Sequence, residues 1–404
     1  MSDLSSMSLT YLRQYFSTQE EMLETEPRYA KPVLALLREK DSMEKRILLT
    51  PEAVAVLTRS GYRIWVESGA GLGAQYADVD YSEHGAEIVE TQKAYSQADF
   101  LLKIQPPLQE EAEMMRGNQV LFSYLFQRNH SLDFVKVLQT RKITAFALEY
   151  MADRNGLLSV VRVIREIEGM ASVQIAAEYL SNTAGGKGIL LGGISGITPC
   201  EVAILGAGTA GEAAARAAMG LGAFVKVLDD DILRLEQLQN HLGTRMYTSI
   251  LHPQVLDRTL RSADVVIVAL DQDVSDLKFR ITCDMVSQMK KGSVIVDLGV
   301  GQSSSIETAS CCSQEHPVGI HNGVIHYCVP YIASRVARTA SIALSNVMVH
   351  VCQEMLSVGV MPRVRADAGL RQGVYLLNGI LTHSALAEHL GLPFRDIHLL
   401  MAAF

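Results

Sequence analysis

Glu201-Val-Ala-Ile-Leu205 is an apolar run that passes directly into Gly206-Ala-Gly208-Thr-Ala-Gly211 and then into Glu212-Ala-Ala-Ala-Arg-Ala-Ala-Met219, a string of strong helix formers. Strand, glycine turn and helix in that order make a phosphate cradle. Gly206 permits the tight turn, Gly208 lets backbone N–H groups approach a pyrophosphate, and Gly211 lets helix and strand pack closely. Ala207, Thr209 and Ala210 lie between them in the same loop, and the helix N-terminus adds partial positive charge for the phosphates. A second apolar run, Phe224 to Leu228, ends in Asp229, 23 residues beyond Gly206, close to the usual spacing of about 20. An acid there accepts from both ribose hydroxyls and repels a 2′-phosphate, so NAD is expected in preference to NADP. The next apolar run ends at Leu270, where a nicotinamide-side loop would begin. The bland alternative, a glycine-rich turn between packed elements, does not require the strand, helix, second strand and terminal acid to follow in sequence. Asp230 and Asp231 are expected to be a solvated loop.

The elements that must position these residues alternate along the chain. Strands are expected at Val33–Leu37, Arg63–Glu67, Asp99–Ile104, Gln119–Tyr124 and Thr144–Leu148, with helical spacing between them and a helix opening at Thr50-Pro51. A long helix follows from about Val160 to Ser181. A second alternating region then has strands at Glu201–Leu205, Phe224–Leu228, Val265–Leu270 and Ser293–Leu298. Such alternation implies parallel sheets with crossover helices. The stretch after about Thr339 has a helical pattern without strands, and it is expected to pack back on the first region.

Composition narrows the chemistry further. The 404 residues suggest two or three domains at about 150 residues each. The balance of 36 Lys+Arg against 44 Asp+Glu gives net charge −8, which supplies no field for nucleic acid or anionic lipid. No apolar run reaches the roughly 18 residues of a membrane span; the longest, Gly188–Cys200 and Thr339–Gln353, are short and contain polar residues. The first 30 residues carry acids throughout, unlike a signal or transit peptide. The six cysteines show no C-x-x-C pair and no zinc spacing, so reduced thiols, no metal and a cytoplasmic location are expected. The adjacent Cys311 and Cys312 are taken as small loop residues.

Beyond the fingerprint, Lys45-Arg46-Ile-Leu-Leu-Thr-Pro51, Glu67-Ser-Gly-Ala-Gly-Leu-Gly73, Gly185-Gly-Lys-Gly-Ile-Leu-Leu-Gly-Gly193, Met289-Lys-Lys-Gly-Ser-Val-Ile-Val-Asp297 and His326-Tyr-Cys-Val-Pro330 together resemble the alanine dehydrogenase and pyridine-nucleotide transhydrogenase family, closest to its alanine dehydrogenase branch. The resemblance runs from about Pro32 to the end. It implies an α/β protein of two Rossmann-like domains with parallel sheets, the second a dinucleotide-binding domain inserted into the first. The expected boundaries are an extension at 1–30, a substrate domain at 31–160 plus 339–404, and an NAD domain at 161–338. The family is oligomeric, as dimers or hexamers, and oxidises L-alanine to pyruvate and ammonia with NAD. Its carboxylate-binding arginine matches Arg46, and a glutamate able to act with a divalent ion matches Glu149, too weak a basis for predicting a metal.

The departures concern the acid–base groups. The family lysine falls on Gln105, its histidine on Phe126 and its aspartate on Gly301, while an asparagine falls on Tyr331 and a cofactor-phosphate serine on Arg165. Lys103, two residues before Gln105 on a presumed strand, is expected to face the same way and is the other candidate for substrate binding. His130 is expected in a solvated loop and His321 near the cofactor loops, while His326 is taken for a satisfied core histidine. The resemblance therefore implies an NAD-dependent oxidoreductase for a small amino acid or 2-oxo acid, impaired or altered in specificity. The alternatives are a non-catalytic NAD-binding member that senses cofactor or assembles with a partner, and, more remotely, hydride exchange between nucleotides.

Overall fold

The computed structural model describes residues 31–125, 132–270, 279–300 and 304–403; the extension at 1–30, Phe126, His130 and Gly301 lie outside the described residues. From Pro32 onward the chain forms one compact unit built on two sheets. The first contains β1 (Val33–Leu36), β2 (Arg63–Glu67), β3 (Glu87–Val89), β4 (Phe100–Leu102), β5 (Val120–Ser123) and β6 (Thr144–Ala147). The second contains β7 (Glu201–Leu205), β8 (Phe224–Asp229), β9 (Tyr247–Ile250), β10 (Val265–Val268), β11 (Val294–Asp297), β12 (Val318–His321) and β13 (Val324–Tyr327).

Strand order in the first sheet runs β3-β2-β1-β4-β5-β6, and in the second β9-β8-β7-β10-β11-β13, all parallel. Both are the doubly wound order, whose direction of winding reverses between the first and fourth strands. Each sheet therefore has a switch point: β1/β4 in one and β7/β10 in the other. Burial on both faces follows. Leu34 and Leu36 enter one apolar cluster and Val33 and Ala35 the opposite one, while Val202 and Ile204 face away from Ala203 and Leu205.

The segment after Thr339 corrects the expectation that it lacks strands. Helix Ala337–Val358 lies against the first sheet, burying Leu344 and Met348 in the cluster that holds Leu34 and Leu36. Beyond it, β14 (Val374–Leu377) pairs antiparallel with β6, and β15 (Ile380–Leu381) pairs with β14. The connection is Asn378-Gly379, at φ 49° and 79°, the left-handed pair that a two-residue hairpin requires. The second sheet ends the same way, with Asn322-Gly323 at φ 53° and 79° joining β12 to β13. Among the described residues no helix is long and apolar enough to cross a membrane, and all six cysteines are free thiols.

One helix, Ser159–Leu180, joins the two halves. Val160 and Ile164 belong to the first sheet's cluster, whereas Ala171, Val173, Ile175, Ala176 and Leu180 belong to the second's. At its midpoint Gly169 meets the helix that follows the glycine loop, so closely that a Cβ on Gly169 would sit 2.1 Å from the Ala210 carbonyl oxygen and 2.9 Å from the Ala213 Cβ. Backbone cannot yield as a flexible side chain would, so Gly169→Ala should force the helices apart. Overpacking of this kind costs roughly 1–3 kcal/mol. The expected result is a thermal midpoint lowered by on the order of 5 °C in calorimetry; an unchanged midpoint would show that the contact is soft.

Candidate functional site

The glycine loop is built as the spacing requires. Gly206 follows β7 with φ 107°, and a Cβ there would lie 2.3 Å from the Ala269 carbonyl oxygen and 3.1 Å from the Leu270 nitrogen. The loop and the end of β10 are thus in contact at the switch point, with Leu270 half-buried beside them. Gly211 stands against the loop itself, where a Cβ would be 1.9 Å from the Gly206 carbonyl oxygen. Gly208 is extended (φ −72°, ψ −171°), a conformation open to any residue, and it precedes helix Thr209–Gly220. Among the described residues no side chain caps that helix, so the first-turn N–H groups of Thr209, Ala210 and Gly211 point out of the helix end.

Asp229 sits at the end of β8, buried, and its carboxylate has structural duties that spacing did not disclose. Oδ2 accepts from the Ala207 N–H at 2.6 Å and Oδ1 from the Asp231 N–H at 2.8 Å. Each carboxylate oxygen retains a second lone pair. Asp230 is exposed and Asp231 caps the next helix through the Leu233 N–H, which agrees with a solvated loop.

The second cluster lies at the switch point of the first sheet, where the chain leaves β1 and β4. Glu44 and Arg46 form a two-point pair: Arg46 Nε donates to Glu44 Oε1 at 2.8 Å and Nη2 to Oε2 at 2.5 Å, with only 4% and 5% of the two residues exposed. The same carboxylate accepts from the Ser334 hydroxyl at 2.7 Å and the Gln105 amide at 3.2 Å. Tyr331 donates to Gln105 Oε1 at 3.4 Å from a left-handed backbone conformation (φ 57°) that non-glycine residues seldom adopt. Burial would raise the Glu44 carboxyl, but the Arg46 guanidinium overrides it and holds the carboxyl below its usual range; Arg46 is itself pushed up by Glu44. The pair is ionised.

Lys103 is not in this cluster. Strand β4 stops at Leu102 and the chain bends ahead of Pro106-Pro107, so the expectation that Lys103 and Gln105 face alike fails. Lys103 is buried with its ammonium bonded to Glu111 and 3.5 Å from the Tyr95 hydroxyl, while Gln105 turns to Glu44. Glu39, after β1, accepts from the Ile104 and Gln105 N–H groups at 2.6 and 3.1 Å. Glu149 accepts from the Leu125 N–H at 3.2 Å, and Arg165 pairs with Glu168 at 3.2 Å. His326 is the satisfied core histidine expected, with Nε2 2.8 Å from the Thr308 hydroxyl, Nδ1 3.1 Å from the Val324 carbonyl, and its pKa lowered by burial. His321 packs edge-on to it at 5.1 Å. Cys311 is exposed and Cys312 half-buried. Among the described residues no group of His, Cys, Asp or Glu has metal-binding geometry.

Sequence reasoning missed Glu39, Glu44 and Ser334. The available signal was the Glu-x-Arg spacing of 44 and 46 outside any helix, which lets an acid turn back on the arginine. Beside Ser334 lies a cavity of about 230 Å³ lined by Lys45, Gln314, Tyr327, Tyr331 and Arg335 among others.

Comparison with known proteins follows the same division. The family model "Alanine dehydrogenase/PNT, N-terminal domain" matches residues 35–167, and "Alanine dehydrogenase/PNT, C-terminal domain" matches 172–384. The chain is 34% identical over 366 residues to the alanine dehydrogenase of Staphylococcus saprophyticus, covering 90% of this chain and 98% of that one. It is also 34% identical to the alanine dehydrogenase of Methanococcus maripaludis, over 90% and 97%. A solved L-alanine dehydrogenase superposes with a TM-score of 0.81 at 32% identity, covering 89% of this chain and 99% of that one. A transhydrogenase from Sinorhizobium meliloti shares the fold, with a TM-score of 0.71 at 24% identity over 87% and 99% of the two chains.

Burial, followed by the Glu44 charge, raises the Glu39 carboxyl from 4.5 to about 8. An acid with a raised folded-state pKa binds more protons folded than unfolded, so its contribution is complete below about 4.5 and is lost as pH climbs through about 8. Replacing Glu39 with Gln should flatten the fall of the thermal midpoint between pH 5 and pH 8. Parallel curves for the two proteins would show that Glu39 titrates normally.

Proposed function

The chain belongs to the alanine dehydrogenase/PNT family, and from that premise we propose an NAD(H)-dependent oxidoreductase of alanine dehydrogenase type whose action on L-alanine is impaired or altered in specificity. The observation that carries the nucleotide half is the glycine loop: Gly206 and Gly211 fit where no side chain would, an uncapped helix end faces outward, and Asp229 holds the loop. In this reading the amides from Ala207 to Gly211 receive the pyrophosphate, Asp229 uses its remaining lone pairs for the ribose hydroxyls, and Leu270 borders the nicotinamide. NAD(H), when bound, supplies or accepts the hydride.

The substrate half is proposed on Arg46. Glu44 takes two of its five N–H donors, and the Nη1 edge has no acceptor among the described residues. A small amino acid or 2-oxo acid would place its carboxylate there. Lys103, the other substrate residue expected, would act only at a distance, since Glu111 holds its ammonium. Residues 31–160 with 339–404 would form the substrate domain and 161–338 the NAD domain, in a cytoplasmic homo-oligomer.

Impairment follows from what residues 105, 126 and 301 are. Oxidation of an amino acid leaves an imine that water must attack, with proton transfers in both directions, and each well-placed acid or base contributes about 10²- to 10⁴-fold. Gln105 and Phe126 carry no titratable group, and Gly301 has no side chain. Those same three positions favour a second reading, a non-catalytic NAD-binding member of the family, which a panel of amino and 2-oxo acids followed at the NADH absorbance separates from the first.

Two outcomes are expected. Asp229→Asn should weaken NAD by about tenfold, in line with losing a charged hydrogen-bond acceptor, and should narrow the preference over NADP in a fluorescence titration; a wild type that binds neither nucleotide refutes the reading. Wild-type alanine oxidation should fall below about 1 s⁻¹, the lower end of ordinary turnover, and the triple change Gln105→Lys, Phe126→His and Gly301→Asp should raise it. An ordinary wild-type rate removes the impairment.

A further inference from the structure

We propose that Glu44 is a specificity-determining residue: an internal carboxylate that holds one edge of Arg46 and competes with ligand carboxylates for its charge, unopposed because residue 105 is glutamine. This rests on Arg46 as the ligand anchor and states which ligands that anchor accepts.

The Glu44 carboxylate is saturated. It accepts from the Arg46 N–H at 3.0 Å, Arg46 Nε at 2.8 Å, Arg46 Nη2 at 2.5 Å, Ser334 at 2.7 Å and Gln105 at 3.2 Å. With both partners almost wholly buried, it does not swing aside for a ligand at modest cost, because Arg46 would lose its counter-charge in a dry environment. Its full negative charge therefore stays beside Nη1, which has no acceptor among the described residues. Among the described residues, the groups placed to offset it do not do so. Gln105 offers a neutral amide at 3.2 Å from Glu44 Oε2, Lys103 is engaged by Glu111, and Arg165 is paired with Glu168. Glu168 and Tyr124 also act electrostatically on Arg46, and neither adds positive charge.

The Nη1 edge thus presents hydrogen-bond donors in a neutral pair. Such an edge suits an uncharged carbonyl acceptor, such as a primary amide, better than a carboxylate, since like charges brought together across one guanidinium disfavour the anion. The ligand class that follows is a small 2-oxo or 2-amino compound with a neutral carbonyl in place of the carboxylate, with simple acids bound weakly.

The test compares pyruvate with pyruvamide as probes, by titration calorimetry with and without saturating NADH. Wild type should bind pyruvamide at least as tightly as pyruvate. Glu44→Gln and Gln105→Lys each raise the charge of the cluster by one through opposite chemical changes, and each should improve pyruvate affinity by about tenfold while leaving pyruvamide within about threefold. A gain in affinity cannot arise from a damaged fold. If Glu44→Gln does not fold, Gln105→Lys alone decides. Weaker pyruvate binding in Glu44→Gln, or an unchanged ligand ratio in Gln105→Lys, overturns the proposal by showing that Glu44 merely orients Arg46. Absence of binding by both probes in every variant that still binds NADH removes the anchor reading and the inference together, whereas loss of NADH binding alone bears only on the nucleotide reading.

Discussion

Three serines from the returning segment fix the turn that carries Arg46. Ser334 donates to Glu44, Ser341 accepts from the Ile47 N–H at 2.9 Å, and Ser345 accepts from the Thr50 N–H at 3.0 Å. All three are buried, so each bond removes a polar group that would otherwise be stranded away from water. Two of them stand on helix Ala337–Val358, four residues apart and so on one face. The anchor at the first switch point therefore depends on residues nearly 300 positions later, and it exists only once the chain has completed the second sheet and come back.

Charge is distributed along the same logic. At the amino ends of β7 and β10, Asp264 is held by Lys187 and Lys290 at 2.6 and 2.9 Å and accepts from the Glu201 N–H, which keeps its carboxyl below the usual range despite burial. The opposite, carboxyl ends of these strands carry the glycine loop and its uncapped helix, where donors are left over for a ligand. Pairing at one end steadies the sheet while the other stays chemically open. In the first sheet the carboxyl ends are instead crowded with acids and their partners, and the arginine there is already half engaged.

Packing and polar chemistry are separable constraints in this chain. A glycine whose Cβ would fall within 2.3 Å of a neighbour's carbonyl oxygen is substituted only by moving backbone, whereas a half-buried polar side chain is replaced without disturbing the apolar core. Gly206, Gly211 and Gly169 belong to the first kind. Gln105 belongs to the second: half-buried, it donates to Glu44 and accepts from Tyr331. The fold and the geometry of the glycine loop rest on such packing, independently of which polar side chains line the first switch point.

The elements with a strong local pattern were legible in the chain itself. β2 and β7 fall where their apolar alternation puts them, helix Ser159–Leu180 is within a residue of its expected span, and Gly206 to Gly211 form the loop that their spacing demands. Two Asn-Gly hairpins were equally local signals, and overlooking Asn378-Gly379 cost β14 and β15. What no local pattern contained was the partnership of side chains. Asp229 turned out to bind the Ala207 N–H, Lys103 turned away from Gln105 because β4 ends already at Leu102, and Glu44 met Ser334 across 290 positions. Periodicity records which face of an element is buried; it carries no information about which distant polar atom will be waiting there, because that is set by how the completed sheets and the returning helix pack.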